Sequence, residues 1–498
     1  MKKEKFSAAI KLTVMVAAMT VVVTASRISS AVDSIVAPAA IPLLVANASG
    51  VALTVSSAGP IDTGNPFFKP FGNGRSCATC HQANSGWSLV PADLKQRFAA
   101  SNGNDPVFRL NDGATSPNAL VTTLEQKRLA YAMLLSKGLI RVGLPVPANA
   151  EFTLVKVDDP YAFASSKELS LFRRPLPTTN LKFASGVMWD GRETFSDARS
   201  GACIIDSRPL QCFATTDFNL LHQANSAVRT HAEAIKDLSA AEQNAIVAFE
   251  KSLFTAQISS TQAGALNTGG AKGGPYELAA NNYYFGINDV EAGDYLSHAP
   301  FTRDVMAMYG AWRVFAAPPP PPPPAQAGRT PPPPPPSASD QAKGAIARGE
   351  QLFNNKPFNI NGVAGFSDTL RRPLQRGTCA SCHSTPNVGS HSLPRFFNTG
   401  TADGALRTAD LPLYTLRNKA SGEVLDTSDP GGAMLSGKWA DIGKVKVPGL
   451  RALEARAPFF HNGSAAQLAD VVRFYERRFR IGFSPQEQDD LTAFLKAL

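Results

Sequence analysis

The sequence has few charged residues, few cysteines and few long apolar runs. Each of these shortages narrows the range of functions that the protein can have. Charged side chains make up 18% of the 498 residues, against about 25% in average proteins, which excludes a disordered polyelectrolyte. The formal net charge of +9 is a mild excess over so long a chain, so we expect no nucleic-acid partner. There are six cysteines, and their spacing is the most informative feature of the chain.

The N-terminus has the pattern of an export signal. Lys2, Lys3 and Lys5 precede an apolar run over residues 12–25, which is shorter than the ~20 residues of a membrane span. We therefore expect a signal peptide over residues 1–26 and a periplasmic protein, with an uncleaved anchor as the alternative. No later stretch is apolar enough to cross a bilayer, so we expect no stable membrane span after signal cleavage.

Two proline runs, Pro318–Pro324 and Pro331–Pro336, interrupt the chain. Such runs hold the backbone extended, which favours a linker between globular parts over a docking ligand for another protein. The predicted organisation is a signal peptide (1–26), a flexible N-terminal segment without an assigned fold (27–58), an N-terminal domain (59–316), a proline-rich linker (317–340) and a C-terminal domain (341–498).

The two halves repeat a helical pattern. Ser239 with Glu242, and Ser484 with Glu487, form Ser-x-x-Glu capping boxes, and each precedes apolar residues three and four positions apart. Leu124 to Leu135 and Leu468 to Phe479 also have helical patterns. Because alternating strand patterns are scarce, we expect a mainly α fold.

Four of the cysteines belong to two copies of a Cys-x-x-Cys-His motif. In this motif two thiols add to the vinyl groups of a haem and the adjacent imidazole binds the iron. A redox pair requires a βαβ setting, and a zinc site requires two distant pairs to converge, so both alternatives are disfavoured. We expect two covalently bound haem c groups, one in each half, held by Cys77, Cys80, His81, Cys379, Cys382 and His383.

The two remaining cysteines are Cys203 and Cys212. In an exported protein two leftover cysteines usually pair, so we expect a disulfide that closes a short loop. A reactive thiol is the alternative.

Three further motifs carry a family resemblance. They are Met188–Arg192 (MWDGR), Val447–Arg451 (VPGLR) and Ala457–Ser464 (APFFHNGS). With the two haem motifs, in this order, the chain resembles the bacterial di-haem cytochrome c peroxidase superfamily, which includes MauG-type enzymes and di-haem rubber oxygenases. The resemblance covers most of residues 60–498. It implies two cytochrome c-type haem domains and an oxidoreductase of the cytochrome c peroxidase type.

The resemblance also implies roles for individual residues. His81 would bind the haem that reacts with hydrogen peroxide or dioxygen, and His383 the haem that passes electrons. Trp189 would lie between the two haems as an electron conduit. A small cytochrome or cupredoxin would be the electron donor.

On the open side of the first haem, family members place a Gln and a Glu ten residues apart. Gln223 and Glu233 have this spacing, after an insertion of roughly 19 residues, and His222 and His231 flank them. The alternative for these residues is a helix surface. No His lies between His81 and His222, so unless His222 or His231 folds back onto the iron, the first haem would be five-coordinate or water-bound. This favours MauG-like or oxygenase-like behaviour over a peroxidase gated by a blocking His.

The resemblance leaves the second axial ligand of the second haem open. Tyr475 stands where peroxidases have Met and MauG-type enzymes have Tyr, and His461 and Met434 are alternatives. Arg174 appears at the position of an Asn that helps family members to hold calcium, so calcium is doubtful. Two other functions stay open: a di-haem oxygenase acting on an organic substrate, and a non-catalytic electron-transfer cytochrome.

Overall fold

The computed structural model describes residues 43–196, 202–204, 211–316, 336–366 and 374–498. The predicted signal peptide, residues 27–42 of the N-terminal segment and residues 317–335 of the linker lie outside the described residues. Within the described part of the chain, no helix is both long enough and apolar enough to cross a membrane. Residues Ile41–Leu498 belong to one compact unit.

The described residues contain twelve α-helices and fifteen strands. The helices are α1 (Cys77–Cys80), α2 (Pro91–Ser101), α3 (Leu124–Ala130), α4 (Ala132–Lys137), α5 (Thr216–Thr230), α6 (Ala240–Ser252), α7 (Pro275–Ala279), α8 (Ala338–Asn355), α9 (Cys379–Cys382), α10 (Ala433–Ser436), α11 (Leu468–Phe479) and α12 (Pro485–Lys496). The strands are β1 (Leu43–Asn47), β2 (Gly50–Ser56), β3 (Ile140–Leu144), β4 (Phe152–Asp158), β5 (Leu169–Arg173), β6 (Ala202–Ile204), β7 (Gln211–Phe213), β8 (Leu253–Ser260), β9 (Gly264–Ala265), β10 (Phe358–Asn361), β11 (Leu374–Gly377), β12 (Phe396–Phe397), β13 (Leu413–Asn418), β14 (Val424–Thr427) and β15 (Val445–Lys446).

The prediction of a mainly α fold is wrong. Among the described residues 33% are helical and 18% lie in strands, arranged in several small sheets. The strands are short, and β5 is buried along its whole length, so it has no polar alternation. Strands of two to five residues leave too few positions for a period of two to be recognised.

Two of the sheets join segments that are distant in sequence. One has the order β1-β2-β8-β9 and the other the order β14-β13-β4. In the second sheet β13 pairs antiparallel with β4, from Leu413 opposite Asp158 to Asn418 opposite Phe152. The first sheet includes β1 and β2, which lie in the segment to which the sequence assigned no fold.

The helices predicted from capping boxes are confirmed. The side chain of Ser239 accepts a hydrogen bond from the backbone N–H of Glu242, and Ser484 does the same for Glu487. Helix α11 has the predicted bounds. The single helix predicted over residues 124–135 is instead two helices, α3 and α4, which meet at the non-helical Tyr131.

Two apolar clusters hold the haem-motif helices in place. Around α1, Phe67, Trp87 and Phe249 pack with their ring centroids 5.0–6.1 Å apart. Around α9, Phe353 of α8 packs on Phe494 of α12 at 5.7 Å. Both motifs therefore lie against rigid aromatic packing.

Candidate functional site

The first Cys-x-x-Cys-His motif borders a large cavity. This first cavity has a volume of about 1530 Å³, counting the part open to solvent, and Cys77, Cys80 and His81 lie in its wall. Neither thiol forms a disulfide. Burial raises the pKa of Cys80 to about 11, which keeps the thiol protonated, so a redox role of this pair is disfavoured.

The second motif borders a separate cavity of similar size. This second cavity has a volume of about 1590 Å³, again counting the open part, and Cys379, Cys382 and His383 line it. Because the two motifs border different cavities, they do not converge on one zinc site. Among the described residues, no group of three or more His, Cys, Asp or Glu side chains is arranged to hold a metal ion.

Both motif histidines are held in the same way. Nδ1 of His81 is 3.2 Å from the carbonyl oxygen of Trp87, and Nδ1 of His383 is 2.5 Å from that of Gly389. A carbonyl only accepts, so each Nδ1 carries the proton and each Nε2 is free to bind iron. Burial lowers the pKa of both imidazoles to about 4, which keeps them neutral.

Strand β2 positions the first of these contacts. The indole Nε1 of Trp87 donates to Oγ1 of Thr54 on β2 at 3.0 Å, and both residues are fully buried. The N-terminal strand therefore orients the residue whose carbonyl fixes His81.

The first cavity brings together some of the predicted residues and not others. Gln223 lines it, as does His231, but Glu233 does not. Instead Oε2 of Glu233 accepts a hydrogen bond from Nδ2 of Asn73 at 2.9 Å in an exposed position. His222 pairs with Glu193 at 2.5 Å and also lies outside the cavity wall.

His231 belongs to a network of hydrogen-bonded and ion-paired side chains that the sequence did not reveal. Its Nδ1 is 2.6 Å from Oδ2 of Asp112, and Oδ1 of Asp112 is 2.6 Å from the guanidinium of Arg75. Burial opposes ionisation of Asp112, yet His231 and Arg75 hold the pKa of this carboxyl below its ordinary value. All three residues line the cavity, and Nε2 of His231 makes no hydrogen bond to a described residue.

The second cavity contains two of the three candidate axial ligands. His461 and Tyr475 line it, whereas Met434 does not and packs instead in an apolar cluster with Tyr414 and Ile442. Nε2 of His461 is buried without a hydrogen-bond partner, 3.7 Å from Oδ2 of Asp429. Tyr475 stacks on Phe479, with ring centroids 6.1 Å apart, and burial raises the pKa of its phenol above the ordinary value.

Trp189 lies in the wall of the second cavity, while the preceding Met188 lies in the wall of the first. The indole Nε1 donates to the carbonyl of Arg174 at 2.7 Å, and the ring lies 6.1 Å from that of His461. The neighbouring Asp190 is buried and paired with Arg173 and Arg192. The hydrogen bond and the ion pairs fix Trp189 beside the boundary of the two cavities.

Five residues line both cavities and form what we call the shared wall. They are Pro175, Pro177, Lys446, Pro448 and Arg456. Arg174 lines the second cavity next to this wall, and Arg451 lines the first. Sequence reasoning missed Lys446 and Arg456, because an isolated cation has no spacing pattern that distinguishes it from a surface residue.

Arg174 stands at the position where family members have an Asn that helps to hold calcium. Its side chain donates to three backbone carbonyls. Its guanidinium bonds to the carbonyl oxygens of Leu89 at 2.6 Å, Lys137 at 2.7 Å and Arg456 at 2.9 Å. Burial, with the nearby Arg456, lowers the pKa of Arg174 to about 9. A positively charged side chain therefore occupies this group of carbonyls.

The cysteines outside the haem motifs are partly described. Cys212 is disulfide-bonded, and the β6–β7 hairpin places Cys203 directly opposite it. The predicted disulfide agrees with both observations.

Comparison with curated proteins identifies relatives of part of the chain. Cytochrome-c peroxidase IdrP2 of Denitromonas iodatirespirans is 32% identical over 136 residues, which are 25% of this chain and 36% of that protein. Cytochrome c551 peroxidase of Nitrosomonas europaea is 31% identical over 121 residues, 24% of this chain and 30% of that protein. Over these stretches the chain is similar to cytochrome-c peroxidases.

A further relative is also named as a cytochrome-c peroxidase. Cytochrome-c peroxidase IdrP1 of Pseudomonas sp. strain SCT is 29% identical over 140 residues, 24% of this chain and 36% of that protein. The chain spans about a third of the length of these cytochrome-c peroxidases. No protein-family model matches the chain.

The relationship to cytochrome-c peroxidases implies haem c, and the residues present fit that cofactor. Each motif places two unpaired thiols and one tautomerically fixed imidazole in the wall of a large cavity. Both cavities are lined mainly by apolar side chains, as a porphyrin requires. The second cavity also contains the unpartnered Nε2 of His461, an atom of the type that binds iron.

Proposed function

We propose that this chain is an exported, periplasmic di-haem c-type oxidoreductase that reduces hydrogen peroxide. The observation that carries this proposal is the difference between two cavities built around the same motif. Each cavity contains one imidazole besides that of its motif, but the polar groups around it differ: Nε2 of His461 in the second is buried without a hydrogen-bond partner, whereas His231 in the first is hydrogen-bonded to Asp112 and accompanied by Gln223. When bound, haem c supplies the iron that reacts with peroxide and exchanges electrons.

We assign the first cavity to peroxide and the second to electron transfer. Reduction of peroxide to water consumes two protons and two electrons, so the peroxide site needs groups that move protons. Gln223 and His231 supply an amide and a free ring nitrogen in the first cavity. The electrons come from a small cytochrome or cupredoxin.

In the second cavity we propose His461 as the further axial ligand. Its Nε2 is buried without a hydrogen-bond partner, which is costly unless the atom binds something. The phenol of Tyr475, by contrast, packs among Phe460, Phe474 and Phe479. Trp189, between His461 and the shared wall, is proposed to couple the two sites electronically.

The test uses the full-length protein purified from the periplasm. A pyridine haemochrome assay gives two haems per chain, and EPR of the resting ferric protein gives one high-spin and one low-spin iron. Peroxide is consumed when a reduced small cytochrome is present. Fewer than two haems, or two low-spin irons that are inert to peroxide, contradict the proposal.

Variants then assign the second axial ligand. His461→Ala removes the low-spin EPR signal, while Tyr475→Phe retains it. The reverse result assigns the ligand to Tyr475 and leaves the peroxidase proposal in place.

A further inference from the structure

The shared wall carries positively charged side chains, and no described Asp or Glu forms an ion pair with them. Lys446 and Arg456 line both cavities, with Arg174 and Arg451 beside them. Arg174 and Arg451 are buried, with exposed fractions of 5% and 2%. The ion pairs of the described residues involve none of these four cations.

The hydrogen bonds that these four cationic side chains donate all go to neutral groups. Arg456 donates to the carbonyls of Gly449 and Arg451, both at 2.8 Å. Arg451 donates to the carbonyls of Asn387 and Gly274, and its Nε is buried without a partner. Nζ of Lys446 makes no hydrogen bond to a described residue, although its backbone N–H donates to the carbonyl of Trp189.

Burial makes the charged forms of the side chains in this cluster less favourable. It lowers the pKa of Lys446 to about 8 and those of Arg451 and Arg456 to about 10, and Arg456 adds to the effect on Lys446. A group of like charges withdrawn from water is unfavourable unless an anion compensates it. Because Lys446 and Arg456 line both cavities, an anion bound in either cavity can compensate their charge.

Haem c brings suitable anions, since each porphyrin carries two carboxylate side chains. A porphyrin carboxylate in either cavity would have Lys446 and Arg456 in the cavity wall to bind it. Charge-assisted hydrogen bonds from Lys and Arg to carboxylates are among the stronger polar contacts in proteins.

We propose that the shared wall binds the carboxylates of both haems through Lys446 and Arg456. The shared wall is then one binding site for the carboxylates of both haems, and its positive charge balances their negative charge. This inference rests on the proposed function, because it requires two haems.

The test measures the midpoint potentials of both haems in the holoprotein. Lys446→Met keeps the length of the side chain and removes its charge, so the carboxylates are no longer balanced and the ferric state is favoured. Both midpoint potentials are expected to fall. Lys446→Arg keeps the charge and should retain potentials close to wild type.

Lys444→Met is the matched control. Lys444 lies two residues away, pairs with Asp441 at 3.0 Å and lines neither haem cavity, so both potentials should stay unchanged. Arg456→Met is the second test variant, in case Lys446→Met does not fold. Unchanged potentials in the charge-removing variants overturn the inference, and so does a shift confined to one haem.

The two proposals fail in different ways. Two haems and donor-dependent peroxide turnover, without any shift in the variants, overturn only the shared-wall inference. Fewer than two haems in the wild-type protein overturn both.

Discussion

His231 and Gln223 bring different chemistry to the first cavity. An amide side chain orients a ligand, whereas an imidazole also accepts and releases a proton. Nδ1 of His231 is engaged by Asp112 at 2.6 Å, so Nε2 is the atom available to a substrate. The Asp112–Arg75 ion pair fixes the orientation of the His231 ring, just as hydrogen-bonding partners orient the ring of a functional histidine in other proteins.

We therefore predict that His231→Ala slows peroxide turnover by about 10²- to 10⁴-fold, the usual range for loss of a general acid or base. Haem content should not change. The control is His222→Ala, because His222 pairs with Glu193 away from the cavity, and this variant should keep wild-type turnover. Stopped-flow measurement of peroxide reaction tests both, and equal losses in the two variants contradict the role of His231.

Glu350 on α8 is a buried carboxyl outside the two cavities. It accepts hydrogen bonds from the N–H groups of Met308 and Tyr309 at 2.6 and 2.9 Å, and its other oxygen has no partner. Burial raises its pKa to about 7, against the opposing effect of these hydrogen bonds. The folded state therefore holds a proton that the unfolded state loses near its ordinary pKa of 4.5.

This difference predicts a pH dependence of stability. Between about pH 4.5 and 7 the folded state binds more protons at Glu350, so the free energy of unfolding falls as pH rises. Below pH 4.5 this contribution is fully present. Glu350→Gln should flatten the dependence in that window, as measured by chemical denaturation at several pH values. An unchanged slope in the variant contradicts the assignment.

At the scale of elements, helices α8 and α12 approach so closely that one position excludes a side chain. A Cβ at Gly349 would lie 2.1 Å from the carbonyl oxygen of Asp490 and 2.5 Å from Cβ of Phe494. Arg348 pairs with Asp490 at the same crossing. The two helices therefore cannot accept Ala at Gly349 without separating.

We predict that Gly349→Ala lowers the free energy of unfolding by about 1–3 kcal/mol, the usual cost of overpacking. Gly310→Ala is the control, because a Cβ there meets nothing within 4 Å. Denaturant titration of both variants measures the difference. Equal stability of the two variants would show that the crossing relaxes without cost.

The helices were predictable from sequence because their signals are local. Ser484, Pro485 and Glu487 lie within four positions of one another and have defined roles at a helix N-terminus. The strands were not, because a strand such as β4 acquires its hydrogen bonds from β13, a partner more than 250 residues away in sequence. A fully buried five-residue strand such as β5 resembles a helix fragment in its pattern.

The candidate site likewise contains some residues that local sequence predicts and others that come from distant segments. The haem-motif residues could be predicted because Cys77, Cys80 and His81 lie within five positions of the sequence, as do their counterparts in the second half. Arg75 and Asp112 were missed, because His231 recruits them from a segment more than a hundred residues earlier. The family resemblance and the ten-residue spacing from Gln223 predict Glu233 beside the first haem, but Glu233 does not line the first cavity and instead bonds to Asn73 in an exposed position.

At the scale of the whole molecule, the segments on either side of the proline runs are interleaved. The β4–β13 pairing joins them, Arg173 pairs with Asp429 at 2.7 Å, and Lys137 pairs with Asp410 at 2.7 Å. Arg173 and Asp429 are both buried, so exposing either would leave a partner uncompensated.

We predict that residues 59–316 and 341–498, produced as separate chains, are each less stable than the same segments in the full-length protein. Limited proteolysis and haem content measure this, with the full-length protein as the reference. Two separate fragments as protease-resistant as the intact chain would establish them as independent domains.

Arg174 has one more consequence for the molecule. Its guanidinium, bonded to the carbonyls of Leu89, Lys137 and Arg456, ties three distant stretches of backbone to a single cation. This cation is part of the polypeptide and cannot dissociate, so the junction does not depend on the supply of dissolved ions. Thermal melts with and without EDTA should superimpose, and a chelator-induced fall in melting temperature would show that a dissociable ion is needed as well.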